Sequence, residues 1–82
     1  MATVKLYSTI RLAAGEKVLE SDAKTVGELL KDLERRYGEK ISRYISNCIV
    51  LVNGKNISLL KGKRTKLEPT DQVSLFPPVA GG

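Results

Sequence analysis

The residues with chemistry to offer stand at the end of the chain, in the run Phe76-Pro77-Pro78-Val79-Ala80-Gly81-Gly82. A carboxylate on Gly82 is ionised at neutral pH, with a reference pKa of about 3.5, and is a poor electrophile until activated. Attack on the α-phosphate of ATP would convert it to an acyl adenylate, a mixed anhydride that a sulphur or nitrogen nucleophile can open. A glycine carbonyl is the least hindered one for such an attack, and two residues without Cβ atoms can thread a narrow channel. Pro77 and Pro78 stiffen the root of the segment, so less entropy is lost when a partner holds it. At about 3.3 Å per residue, the five residues after Pro77 reach roughly 16 Å.

The rest of the composition argues against a catalyst. The chain has no His and one Cys. A Cys/His zinc site, a Ser-His-Asp triad and a Cys-His pair are therefore impossible within it. It has no phosphate-binding glycine loop and no nucleophile–base pair. The chain reads as a protein substrate or carrier for chemistry done by others. Cys48 cannot form an internal disulfide, and it sits in the apolar run Cys48-Ile49-Val50-Leu51-Val52, where an inert, buried thiol is the ordinary outcome.

Charge is unevenly distributed. Residues 1–39 carry seven bases and seven acids, whereas residues 40–82 carry seven bases against Glu68 and Asp71, so the whole net charge of +5 lies in the second half. Lys61, Lys63, Arg64 and Lys66, with Lys55 nearby, form an acid-free patch. Such a patch suits an anionic partner, nucleic acid or an acidic protein face, or else simply keeps a small protein solvated.

The elements that position the tail follow from periodicity. Thr3 to Ile10 alternates, with Val4, Leu6 and Ile10 on one side, and reads as a strand. Ala13-Ala14-Gly15-Glu16 reads as a turn, and Lys17 to Glu20 as the hairpin partner. Val26, Leu29, Leu30, Leu33 and Tyr37 then fall on one helical face. Thr25-Val26-Gly27-Glu28 fits a capping box at its start, and Gly38 a stop at its end. Ile41, Tyr44 and Ile45 allow a further helical turn. Cys48–Val52 reads as a strand followed by the Asn53-Gly54 turn, with a short return over Lys55–Ser58. Glu68-Pro69-Thr70-Asp71 reads as a type I turn before a last strand, Gln72–Phe76. The prolines after it have no amide hydrogen and end the ladder. The expected architecture is α+β, a ubiquitin-like β-grasp: a mixed sheet of about four to five strands with the last beside the first, and one main helix over about 26–37 on one face. Residues 1–77 form this domain and 78–82 a flexible tail.

At this point the residues match a known family. Val73-Ser74-Leu75-Phe76-Pro77-Pro78-Val79-Ala80-Gly81-Gly82, Val52-Asn53-Gly54, Thr25-Val26-Gly27-Glu28-Leu29-Leu30 and Ile10-Arg11-Leu12 with Gly15 resemble the small subunit of molybdopterin synthase, a ubiquitin-like sulphur carrier. The resemblance covers nearly the whole chain. It departs at Thr70, where relatives usually carry Gly, and in the basic loop. The resemblance implies that an E1-like adenylating enzyme activates Gly82 with ATP and Mg²⁺. The adenylate would become a thiocarboxylate, and the tail would enter the large subunit of molybdopterin synthase, in a heterotetramer, to build the dithiolene of the molybdenum or tungsten cofactor. Gly82 would carry the sulphur and Gly81 occupy the channel. Phe76, Pro77, Pro78, Val79 and Ala80 would lie at the partner surface, with Arg11 as a polar contact. This chain itself would bind no metal or cofactor.

Other readings share the activation step: a carrier for thiamine synthesis or tRNA thiolation, or a protein modifier joined to lysines through Gly82. An RNA-binding β-grasp module using Lys61, Lys63, Arg64 and Lys66 belongs to a different class, and the few, scattered aromatics make nucleic acid a poor fit. Met1–Ile10 lacks a signal-peptide pattern and no apolar run approaches spanning length. A cytoplasmic protein without a membrane partner is therefore expected. The Gly82→Ala variant is expected to keep its melting temperature and to transfer sulphur poorly, because the methyl group crowds the reacting carbonyl. An unchanged transfer rate in a reconstituted reaction would remove the argument for a slim tail.

Overall fold

In the computed structural model, residues 1–78 are described, so Val79, Ala80, Gly81 and Gly82 lie outside the account that follows. The chain forms β1 (Ala2–Leu6), α1 (Ser8–Ala14), β2 (Val18–Ser21), α2 (Val26–Tyr37), α3 (Glu39–Ile45), β3 (Ile49–Val52), β4 (Lys55–Asn56) and β5 (Gln72–Phe76). Two short 3-10 turns, Ile57–Leu59 and Gly62–Arg64, link β4 to β5. The sheet order is β2-β1-β5-β3-β4. β1 and β5 pair in parallel at its centre, and the other neighbours are antiparallel. This is the β-grasp arrangement that the strand–helix order implies.

The alternation of the strands decides the core. Val4, Leu6, Val50, Val52, Val73 and Leu75 are buried on one face of the sheet, where α2 lays Val26, Leu29, Leu30 and Leu33 against them. Helix α2 has the predicted bounds. Thr25 Oγ1 accepts the Glu28 amide at 3.2 Å, while the Glu28 carboxylate reaches one residue beyond the N-cap and accepts from the Lys24 amide at 2.7 Å. The first satisfies an amide that the first turn leaves unpaired, and the second pins the chain just ahead of the N-cap. Gly38, at φ 71 and ψ −155, ends α2 and lets the chain re-enter α3 at once. A side chain there would strain the backbone.

The turns fix the register of the last strand. Asn53 and Gly54 take φ 51 and 85, both in the left-handed region, as a type I′ hairpin requires. The Asn53 side chain then clasps the start of β5: its Oδ1 accepts from the Gln72 amide, and its Nδ2 donates to Asp71 Oδ1, each at 2.9 Å. Asp71 closes the preceding turn, its amide donating to the Glu68 carbonyl at 3.0 Å and its Oδ2 accepting from the Glu68 amide at 2.7 Å. Thr70 needs no positive φ in this turn, so the position does not require glycine.

Three local expectations are revised. The first strand stops at Leu6 rather than running to Ile10, and Ser8–Ala14 is helical where a turn was expected over Ala13–Glu16. Ile10 still reaches the core, but from α1. The reason is that Ile10, Ala13 and Ala14 have helical spacing, and Gly15 supplies the stop by donating its amide to the Arg11 carbonyl at 2.8 Å. The return strand after Asn53-Gly54 holds only two residues, because Asn56 Oδ1 accepts from the Ser58 amide and turns the chain into a 3-10 conformation. Residues 39–45 make a full short helix, with Ile41 and Ile45 buried.

Leu33→Ala, at a fully buried position, is expected to destabilise the fold by about 2–5 kcal/mol. Leu12→Ala, at a position 76% exposed on α1, is expected to change stability by less than about 0.5 kcal/mol. Urea denaturation of the two variants checks the helix registers.

Candidate functional site

The root of the tail is held in the middle of the sheet. β5 pairs with β1 as far as Leu75, opposite Leu6, and with β3 as far as Phe76, opposite Ile49. The Tyr7 amide adds a further bond to the Leu75 carbonyl at 3.1 Å. Pro77 and Pro78 follow at once, so the chain leaves the sheet at a fixed place.

Phe76 is half-buried, and the Tyr7 ring stacks on it at 4.4 Å between centroids and 11° between planes. Such a pair is worth about 0.5–1.5 kcal/mol beyond its buried area. Tyr7 is held there by the sharp exit from β1: Ser8 takes φ 54, uncommon for a residue other than glycine. A conformation of this kind persists only where its surroundings enforce it. Here it turns the chain from β1 into α1 beside the tail root.

An open cleft of about 860 Å³ begins at this point. Ile49, Leu51, Tyr44 and Phe76 give it apolar walls, Pro77 and Pro78 its rim, and Ser8, Thr9 and Arg43 its polar contacts. A second cleft of about 610 Å³ shares Thr9, Arg43 and Tyr44 and continues between α1 and α3, past Leu12, Ala13, Glu39 and Lys40. The arrangement suits a protein partner: an aromatic platform, a mainly apolar floor and one guanidinium able to hold a carboxylate or a backbone carbonyl.

The structure brings together Phe76, Pro77 and Pro78 of the expected partner surface. Val79, Ala80, Gly81 and Gly82 fall outside the described residues. Arg11 is exposed on α1 and lines a separate cleft with Leu12, Gly15, Glu16 and Lys17. Lys61, Lys63, Arg64 and Lys66 are exposed on the loop after β4 and do not line the tail-root cleft. Tyr7, Arg43, Tyr44, Ile49 and Leu51 were not singled out as site residues from the sequence. The parallel β1–β5 register places Tyr7 next to Phe76, and the Ile41-Tyr44-Ile45 spacing carries Arg43 and Tyr44 to the same end of the molecule. These were the signals available.

Side-chain chemistry beyond the tail is quiet. Burial pushes the Cys48 thiol up to about 11, against smaller opposing effects of a backbone hydrogen bond and Lys63. It is therefore a neutral thiol at physiological pH. Burial, together with a hydrogen bond to the Glu16 carboxylate, raises Tyr37, which thereby latches α2 to the chain before β2. Among the described residues, no group of three or more Cys, Asp or Glu could hold a metal ion, and no helix is long and apolar enough to cross a membrane.

With this geometry in place, comparisons with known proteins become informative. The ThiS family model matches residues 4–82. Small archaeal modifier protein 3 of Haloferax volcanii is 36% identical, with 96% of each chain covered. The solution structure of small archaeal modifier protein 1 from Methanosarcina acetivorans superposes with a TM-score of 0.83 at 30% identity, covering 99% of this chain and 95% of that one. CysO of Amycolatopsis orientalis, crystallised in a complex with BexX, superposes with a TM-score of 0.80 at 29% identity over the whole of both chains.

Cys48 is expected to react with iodoacetamide at pH 7 far more slowly in the folded protein than in urea, because the folded thiol titrates near 11 and an unfolded one near about 8.5. Raising the pH from 7 to 9 should accelerate the folded reaction about a hundredfold, because that thiol stays well below its pKa, and the unfolded one only about 25-fold, because it titrates within this range. Equal folded and unfolded rates would mean that Cys48 is not shielded.

Proposed function

The chain belongs to the ThiS family of ubiquitin-like sulphur carriers and protein modifiers, and from that premise we propose that Gly82 is the acyl group that an E1-like enzyme activates for sulphur transfer. The Gly82 carboxylate attacks the α-phosphate of ATP, and pyrophosphate leaves. A sulphur nucleophile then displaces AMP, and the terminal carboxylate becomes a thiocarboxylate. ATP and Mg²⁺ belong to the activating enzyme.

The observation that carries this reading is the tail root: a central strand, paired on both sides, ending at Pro77-Pro78 beside a cleft with an aromatic platform. This chain's residues supply position. Tyr7 and Phe76 fix where the tail leaves the domain, and Arg43 and Tyr44 offer a partner purchase next to that exit. The family match running to Gly82 supports the same reading.

For the acceptor, the ending Phe76-Pro77-Pro78-Val79-Ala80-Gly81-Gly82 supports delivery to the large subunit of molybdopterin synthase, where the sulphur builds the dithiolene. A second reading, conjugation of Gly82 to lysines of other proteins, is favoured by the two relatives named as archaeal modifiers. The two differ only in the nucleophile that opens the activated carbonyl, a sulphur donor or an amine. They can coexist in one protein.

Intact mass of the protein purified from its own cells without reducing agents tests the proposal. Exchange of one carboxyl oxygen for sulphur at Gly82 is the expected result. A plain carboxylate together with Gly-Gly remnants on lysines of other proteins would assign the chain to the modifier reading. A chain extended beyond Gly82 is expected to keep its fold and lose both activities. Undiminished adenylation of that extended chain would overturn the assignment of Gly82.

A further inference from the structure

The loop from Ile57 to Lys66 is not used by the tail, and it has two properties that rarely occur together. It is tied down by hydrogen bonds, and it exposes leucine side chains beside its cations. The Leu60 amide donates to the Ile57 carbonyl at 2.9 Å, and the Arg64 and Thr65 amides donate to the Lys61 and Gly62 carbonyls, each at 3.0 Å. Buried Thr65 accepts the Lys61 amide on its hydroxyl at 3.1 Å. The loop is also tied to the start of α2, where the Val26 amide donates to the Thr65 carbonyl and the Leu67 amide to the Lys24 carbonyl. Yet Leu59 is 79% exposed and Leu60 is 40% exposed. Lys61, Lys63, Arg64 and Lys66 follow directly, all exposed, and among the described residues the only salt bridges are those of Arg35 and Arg36 with Asp32.

Solvation explains the cations but not two exposed leucines next to them. Nucleic acid would use the cations and leave the leucines without a role. An acidic protein face would take the cations as well, but residues 40–67 contain no acid that would set a register against one particular face. The clefts described above are lined by other residues. A soft anionic surface uses both features, since apolar insertion and a cluster of cations are the two signals that together hold a protein at a bilayer.

We propose that this loop is a peripheral membrane contact, with Leu59 and Leu60 entering the headgroup–acyl boundary of a bilayer while Lys61, Lys63, Arg64 and Lys66 lie against anionic headgroups. The expectation of no membrane partner rested on the lack of a spanning segment, and a surface contact needs none. The inference stands apart from the chemistry of Gly82.

Flotation of the full chain with vesicles tests it. Binding is expected to an equimolar mixture of phosphatidylglycerol and phosphatidylcholine, not to phosphatidylcholine alone, and to fall as salt is raised. Each Lys→Gln change should weaken partitioning about fivefold. The double variant Leu59→Ser, Leu60→Ser should weaken it about tenfold or more with all cations in place, and its melting temperature should be unchanged because both side chains are exposed. Extension beyond Gly82 should leave flotation intact, so loss of tail chemistry and loss of membrane binding are read separately. No flotation at low salt would overturn the proposal. So would binding that ignores the leucine changes, or an RNA oligonucleotide that binds the parent at a salt concentration at which the anionic vesicles do not, because the loop would then be a plain polyanion site.

Discussion

β5 lies between two hydrogen-bonding partners, parallel to β1 and antiparallel to β3, and the working end of the molecule depends on that position. A central strand has no free edge on which to slide or fray, so the residue at which it stops is fixed by the ladders on both sides. Two prolines then forbid any continuation of pairing. The result is a tail root anchored on both sides in the middle of the sheet. In the proposed reading the chain contributes placement to the reaction, and a fixed exit from the sheet supplies it.

The clasp made by Asn53 serves the same end from the far side of the sheet. Its backbone sits in the left-handed region that the hairpin demands, and its side chain is thereby aimed at Asp71 and Gln72, where β5 begins. One residue sets both the β3–β4 turn and the register of the strand that leads to the tail. At the opposite end of β5, Ser8 accepts an unfavourable backbone conformation so that Tyr7 can stay on Phe76 while the chain turns away into α1. The strain sits beside the proposed partner surface, where a fixed platform has value.

Much of this was legible in the sequence, for identifiable reasons. Helix α2 combined an apolar face with a stop and a cap, and the Asn53-Gly54 dipeptide allowed few turns other than the one found. β5 showed clean alternation ended by Pro77. Helix α1 was hidden because Tyr7, Ser8, Thr9 and Ile10 favour extended backbone locally, while the helical spacing of Ile10, Ala13 and Ala14 spans barely a turn and a half. The tail-root cleft was hidden for a different reason. It is assembled from residues 8–9, 43–44, 49, 51 and 76–78, which no sequence window contains together. Nor could the charge pattern of the loop reveal that Leu59 and Leu60 point outward, since two leucines in a 3-10 turn are as readily core as surface.

The parallel pairing of β1 with β5 also governs how the fold is reached. Thr3 lies opposite Gln72, a separation of 69 residues (72 − 3), and the centre of the sheet cannot close until that span has been bridged. Contacts so distant in the chain slow folding, because the entropy of a large loop must be lost before the pairing returns any stability. Until that closure, Phe76 can have Ile49 beside it through the β3–β5 ladder but not Tyr7, and the tail root is held on one side only. If Gly82 is activated as proposed, an unfinished or misfolded chain would present it without the platform beside Phe76. Folding would then act as a proofreading step on which molecules are offered for chemistry.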